Sequence, residues 1–177
     1  MNKDELIPLL KDCEAIKFGH FVLTSGAISD YYVDIKKAIT KPQILKKITQ
    51  LLSEYTEGYD LIAGMELGAI PIIVALSLET NIPYVIIRKE KRDHGTIKQI
   101  EGEDVKGKKV LLVEDVTTSG GSVVKSIQIL RENKAIVDEV IAVVDRESGT
   151  EEKLQKIDIS FLPLISISDI LKKYNIK

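Results

Sequence analysis

The run Val110-Leu111-Leu112-Val113-Glu114-Asp115-Val116-Thr117-Thr118-Ser119-Gly120-Gly121-Ser122 joins four apolar residues, two acids and a loop rich in hydroxyls and glycine. The apolar stretch reads as a strand buried on both faces of a parallel sheet, which need not alternate. Ligands of open α/β sheets bind at the carboxyl ends of the strands. Glu114 and Asp115 are therefore placed to accept hydrogen bonds from two vicinal hydroxyls, such as those of a ribose. Beyond Val116, the hydroxyls of Thr117, Thr118, Ser119 and Ser122 can donate to a phosphate, while Gly120 and Gly121 let backbone N–H groups approach it closely. Ser122 stands where a helix N-cap belongs, ahead of Val123, Ile127 and Leu130 at spacings of four and three. The whole run is suited to cradling a ribose phosphate.

The rest of the chain supplies elements that could hold such a cradle. Strand-like runs are expected at Tyr59–Met65, Pro83–Arg88, Lys109–Glu114, Glu139–Asp145 and Ile159–Leu164, and helical patterns at 2–13, 42–55, 68–80, 122–133 and 168–174. Their alternation predicts an α/β fold, a mostly parallel sheet flanked by helices on both faces. Residues 18–36 break the scheme with two short strands, Phe21–Thr24 and Tyr31–Ile35, joined by the turn Ser25-Gly26-Ala27. A hairpin there would cap the crevice. Lys89–Glu103 is crowded with charge and nearly free of apolar residues, which predicts a mobile surface loop.

A chain of 177 residues can bury a core as one domain, 1–177. Its net charge of -2 and pI near 5.8 lack the basic surplus of a dedicated nucleic-acid binder. One cysteine, Cys13, cannot pair internally, and it is expected in or just after the first helix as a core or half-buried residue. Without a leader-like segment or an apolar stretch near eighteen residues, the chain is expected to be cytoplasmic and soluble, with no membrane or nucleic-acid partner. Gly102-Glu103-Asp104-Val105-Lys106-Gly107-Lys108 matches the start of a phosphate-binding P-loop. Lys109 then stands where Ser or Thr is required, and the segment precedes a strand where a P-loop follows one, so a polar turn is the better reading.

The cradle resembles the phosphoribosyl-pyrophosphate signature of the type I phosphoribosyltransferases. Three further stretches resemble the orotate-using members of that family: Phe18 to Asp34, Ile87 to Thr96 with its Arg-Lys and Asp-His-Gly elements, and Asp145-Arg146-Glu147-Ser148-Gly149. Gly64-Met65-Glu66-Leu67-Gly68-Ala69-Ile70-Pro71 looks like the family's pyrophosphate loop, with Glu66, Leu67, Gly68 and Ala69 at its centre. The hairpin, within residues 1–36, matches the family's hood, which covers the base.

The resemblance implies transfer of a phosphoribosyl group from phosphoribosyl pyrophosphate (PRPP) to orotate, with Mg²⁺ as cofactor, carried mainly by the PRPP and with no direct protein ligand. It assigns PRPP binding to Arg88, Lys89, Arg92, His94 and Glu114 through Ser122, and catalysis to Arg92, Lys89, His94 and Asp115. Orotate contacts fall to Thr118, Arg146, Ser25 and Tyr32. Arg146 offers a planar fork of donors matched to a carboxylate. The family loop reaches into a neighbouring subunit's site, which implies a homodimer with residues 89–103 shared across the interface. Thr24 and Arg92 stand where many orotate enzymes carry lysine. Arginine does not give up a proton, so Arg92 is expected to act as a fixed counter-charge, with Lys91 able to swing in. Two other functions compete: a transferase of the same fold acting on a purine or other base, and a non-catalytic regulator that senses PRPP.

Overall fold

The computed structural model describes residues 5–22, 28–90 and 99–176. Six strands form the central sheet in the order β5-β4-β3-β6-β7-β8: β3 (Leu61–Met65), β4 (Tyr84–Ile87), β5 (Ile100–Gly102), β6 (Val110–Thr117), β7 (Glu139–Asp145) and β8 (Ser160–Ser166). All neighbours are parallel except the edge pair of β4 and β5. Helix α4 (Ile70–Thr80) carries the chain from β3 outward to β4, and α5 (Gly121–Glu132) carries it from β6 the other way to β7. Right-handed crossovers in opposite directions must lie on opposite faces. Ile72, Ile73 and Leu76 of α4 accordingly join one core cluster, and Val123, Ile127 and Leu130 of α5 join the other.

The first cluster also receives α1 (Leu6–Asp12), α2 (Ile35–Ile39), α3 (Pro42–Ser53) and α7 (Ile167–Lys173). The second receives α6 (Thr150–Gln155) through Leu154. Strand residues alternate between them: Ile62, Leu111, Val113 and Ile141 face one cluster, while Leu61, Ala63, Val110, Leu112 and Val140 face the other. The near-continuous apolar strands of the sequence are thus buried on both faces. The strand order reverses between β3 and β6, and a crevice opens beyond their carboxyl ends.

An antiparallel hairpin, β1 (Ile16–Val22) with β2 (Ile28–Val33), forms a separate two-stranded sheet. Its first strand starts at Ile16, earlier than expected, because Gly19 at φ +146° sits in an irregularity between Phe18 and Phe21 and the strand continues through it. Its second strand ends at Val33, and Ile35 opens α2 instead of closing the strand. Cys13 caps α1 and is half-buried, donating to the Leu10 carbonyl at 3.4 Å.

Two further expectations need correction. The segment Lys89–Glu103 is not a loop throughout: Ile100–Gly102 pairs with β4 as an edge strand, too short for periodicity to reveal. Ser122 is not an N-cap. Gly120 holds that position at φ +72°, and a Cβ there would lie 3.2 Å from the Thr150 Cα, so both backbone conformation and space favour glycine. The P-loop-like segment is a turn joining β5 to β6.

Candidate active site

The acid pair lies inside β6, which runs three residues past Glu114. Glu114 is 5% exposed and its Oε1 has no hydrogen-bond partner. Burial, reinforced by the neighbouring Asp115 charge, pushes its carboxyl up to about 8. Such a carboxyl is poised for donors supplied by a ligand. Asp115 is half-buried and faces the loop after β3. Its carboxylate occupies the space a side chain at position 68 would need: a Cβ on Gly68 would lie 2.0 Å from Oδ2. The Glu66–Leu67 peptide bond in this loop is cis. A similar fit shapes the loop's base, where a Cβ on Gly64 would come within 2.8 Å of the Ala69 Cβ, so the start of α4 packs directly on β3.

A cleft of about 190 Å³ is lined by Lys36, Met65, Glu66, Leu67, Gly68, Lys89, Glu114, Asp115, Val116 and Ser122. The expected pyrophosphate loop and acid pair therefore meet in one place. Lys89 is tied to that loop, since its backbone N–H donates to Glu66 Oε1 at 2.7 Å, and to α5, since its carbonyl accepts from Lys125 Nζ at 2.6 Å. Arg88 turns toward the edge strand: Nη1 is 3.8 Å from Glu101 Oε1, and Nε is buried without a partner. Arg92, His94 and Ser25 lie outside the described residues.

The hydroxyl-rich loop divides by role. Thr117 is buried and donates to Asp145 Oδ1 at 2.7 Å, and the Thr117 carbonyl accepts from the Arg146 N–H at 3.0 Å. The carboxyl ends of β6 and β7 are thereby tied together, and with them the loop and Arg146. The side chains of Thr118 and Ser119 are exposed, while their carbonyls accept from Thr150 Oγ1 and Lys153 Nζ. The loop is thus held through its backbone with hydroxyls left outward. Ala69, the last residue of the pyrophosphate loop, caps α4, and Gly121 opens α5.

Arg146 borders a second cavity of about 380 Å³ with Ser29, Tyr31, Leu171 and Ile176, between hood and sheet. Its guanidinium lies 5.1 Å from the Tyr31 ring centre, and its Nε is buried without a partner. Tyr32 takes the opposite face of β2, exposed and packed on Phe21 at 5.7 Å. Sequence reasoning missed Tyr31 and Lys36 as site residues. Strand alternation carried the signal for Tyr31, since Ser29, Tyr31 and Val33 share the inward side. Among the described residues no group of three or more His, Cys, Asp or Glu side chains converges as a metal site, and no helix is long and apolar enough to cross a membrane.

Residues 36–170 match the phosphoribosyl transferase domain family. The curated orotate phosphoribosyltransferase of Pyrococcus horikoshii is 55% identical over 174 residues, covering 96% of this chain and 94% of that protein. The crystal structure of orotate phosphoribosyltransferase from Aeropyrum pernix superposes with a TM-score of 0.87 at 32% identity, over 96% of this chain and 98% of that one. The Mycobacterium tuberculosis orotate phosphoribosyltransferase, solved in complex with 5-phospho-alpha-D-ribosyl 1-diphosphate, superposes with a TM-score of 0.79 at 27% identity, over 95% and 98% of the two chains.

Proposed function

The chain belongs to the phosphoribosyl transferase family and catalyses the orotate phosphoribosyltransferase reaction; on that premise we propose how its residues divide the work. The cleft at β3 and β6 takes PRPP, with Glu114 and Asp115 accepting from the ribose hydroxyls and Thr118 to Ser122 receiving the 5-phosphate, while Thr117, whose buried hydroxyl is already given to Asp145, holds the loop instead of touching the phosphate as its sequence position suggested. One observation carries this reading: a buried, unpartnered carboxyl and a second acid seated against a side-chain-free loop, at the point where strand order reverses. Arg146, over Tyr31, receives the orotate carboxylate, and its buried Nε without a partner supports that role.

The reaction needs no protein nucleophile. The bond from C1 of the ribose to the diphosphate oxygen breaks with its electron pair leaving on the diphosphate, and the deprotonated ring nitrogen of orotate forms the new bond to C1. The sugar carries cationic character between these events. The protein supplies fixed charge and position: cations at the departing diphosphate, Asp115 beside the sugar, and a sheet that holds both. A Mg²⁺ would be carried in by the diphosphate, with Glu66, Glu114 and Asp115 as the cleft carboxylates around it and no side chain needed as a direct ligand. When bound, that ion neutralises leaving-group charge. Arg92 and His94 are assigned to the diphosphate by resemblance, which also implies a homodimer with residues 89–103 shared across its interface.

The test is incubation of the purified protein with PRPP, Mg²⁺ and, separately, orotate, adenine, hypoxanthine and uracil. Loss of orotate absorbance with stoichiometric diphosphate release is the expected result. Inactivity on orotate with turnover of another base would replace the base assignment.

A further inference from the structure

We propose that Lys36, reaching in from the hood side, is a binding residue for the diphosphate of PRPP. The cleft wall carries three carboxyl side chains, Glu66, Glu114 and Asp115, against two ammonium side chains, Lys36 and Lys89. A diphosphate entering such a cleft adds several negative charges and requires cations at contact distance. The loop at Glu66–Gly68 contributes none of its own, and Gly68 has no room for a side chain because Asp115 fills it. A cation at that wall must therefore come from another element.

Lys36 comes from α2, whose Ile35, Ala38 and Ile39 are buried in the core and fix the helix against β6 and α3. The backbone before it is pinned where the Asp34 N–H donates to the Ala15 carbonyl at 2.7 Å. The amine lies 4.0 Å from Asp115 Oδ2 and 3.9 Å from Asp34 Oδ1, near enough for ionic attraction and too far for hydrogen bonds. Those carboxylates aim the ammonium group into the cleft and leave its donors available. Lys37, the next residue, turns away and binds Glu14. The pair differs in placement while matching in charge.

This inference rests on the PRPP reading of the cleft, and the experiment separates the two. In wild type, Lys36→Met, Lys36→Arg and Lys37→Met, the measurements are the KM values for PRPP and orotate, the inhibition constant of inorganic diphosphate with Mg²⁺, and the affinity for ribose 5-phosphate. Lys36→Met is expected to weaken PRPP and diphosphate at least tenfold and leave ribose 5-phosphate within twofold. Lys36→Arg is expected to stay within about threefold of wild type, and Lys37→Met within twofold. Unchanged diphosphate inhibition in Lys36→Met, or equal losses in the Lys36 and Lys37 variants, overturns the assignment while an active wild type keeps the proposed function. A wild type inactive on orotate whose diphosphate binding still depends on Lys36 does the reverse. Lys36 is 59% exposed, so folding is undemanding at this position, and Lys36→Gln, which also removes the charge, is expected to show the same losses and decides the matter should the methionine variant not fold.

Discussion

The most exacting consequence of the cleft geometry concerns protons. With its carboxyl pushed up to about 8 by burial and by Asp115, Glu114 is mostly protonated in the empty cleft at neutral pH. A ribose diol donating to it favours the ionised form, so sugar binding must expel a proton. Near pH 7.5 about 0.8 proton should be released per site, falling to about 0.1 at pH 9, where the carboxyl is already ionised. The second phosphate proton, with a pKa near 6, is gone throughout this range and does not confuse the count. Titrating ribose 5-phosphate into the protein in buffers of different ionisation enthalpy, by calorimetry, reads the number directly. Affinity should rise nearly tenfold per pH unit between 6.5 and 7.5 once the ligand's own titration is subtracted, and level off above 8.

The same group sets the stability of the empty protein. Its folded pKa lies above the ordinary 4.5, so the folded state binds more protons than the unfolded chain between 4.5 and about 8. Stability is full below that window and is lost as pH rises through it. At about 1.4 kcal/mol per pH unit, Glu114 should cost the empty protein about 3–4 kcal/mol between pH 5 and pH 9. Glu114→Gln removes the proton release and flattens that part of the unfolding profile, measured by urea denaturation at each pH. Equal proton release in wild type and Glu114→Gln would falsify the claim that this carboxyl meets the diol.

Four further outcomes follow from the geometry and the sequence. Gly68→Ala places a methyl where the Asp115 carboxylate sits and should weaken PRPP ten- to hundredfold, about 1.4–2.7 kcal/mol, with the orotate KM little changed in steady-state assays. Arg146→Ala should raise the orotate KM by roughly 30- to 100-fold, the loss expected for a charge-assisted contact of about 2–3 kcal/mol, while leaving diphosphate inhibition intact. Thr117→Val leaves the buried Asp145 carboxylate without its 2.7 Å donor and should destabilise folding by about 1–3 kcal/mol in denaturant titration, raising both KM values together because this bond ties the end of β6 to the end of β7, where the two proposed substrate sites lie. Arg92→Ala should lower turnover about a hundredfold, about 3 kcal/mol, and Arg92→Lys should keep or raise it in single-turnover measurements; an unaffected alanine variant removes the residue from the mechanism.

What the sequence made legible is what local pattern dictates. Glu139–Asp145 matches its expected strand to the residue, and the other long parallel strands and the long helices shift only at their ends, because buried parallel strands and amphipathic helices impose their periods over many residues, whereas the first hairpin strand, at Ile16–Val22, meets the expected Phe21–Thr24 at two residues. The elements that escaped are short or polar: Ile35–Ile39 has five residues, Ile100–Gly102 has three, and Thr150–Gln155 has one buried leucine to announce it. Site residues sort in the same way. Glu114, Asp115 and the loop to Ser122 are contiguous, so their types and spacing are visible in one run. Lys36 and Tyr31 reach their cavities from elements whose direction is set by the core. Ile35, Ala38 and Ile39 must point inward, and at 100° per residue this sends Lys36 to one side of α2 and Lys37 to the other. Which side is the cleft depends on how α2 lies across β6, a tertiary fact that no window of sequence around two adjacent lysines contains.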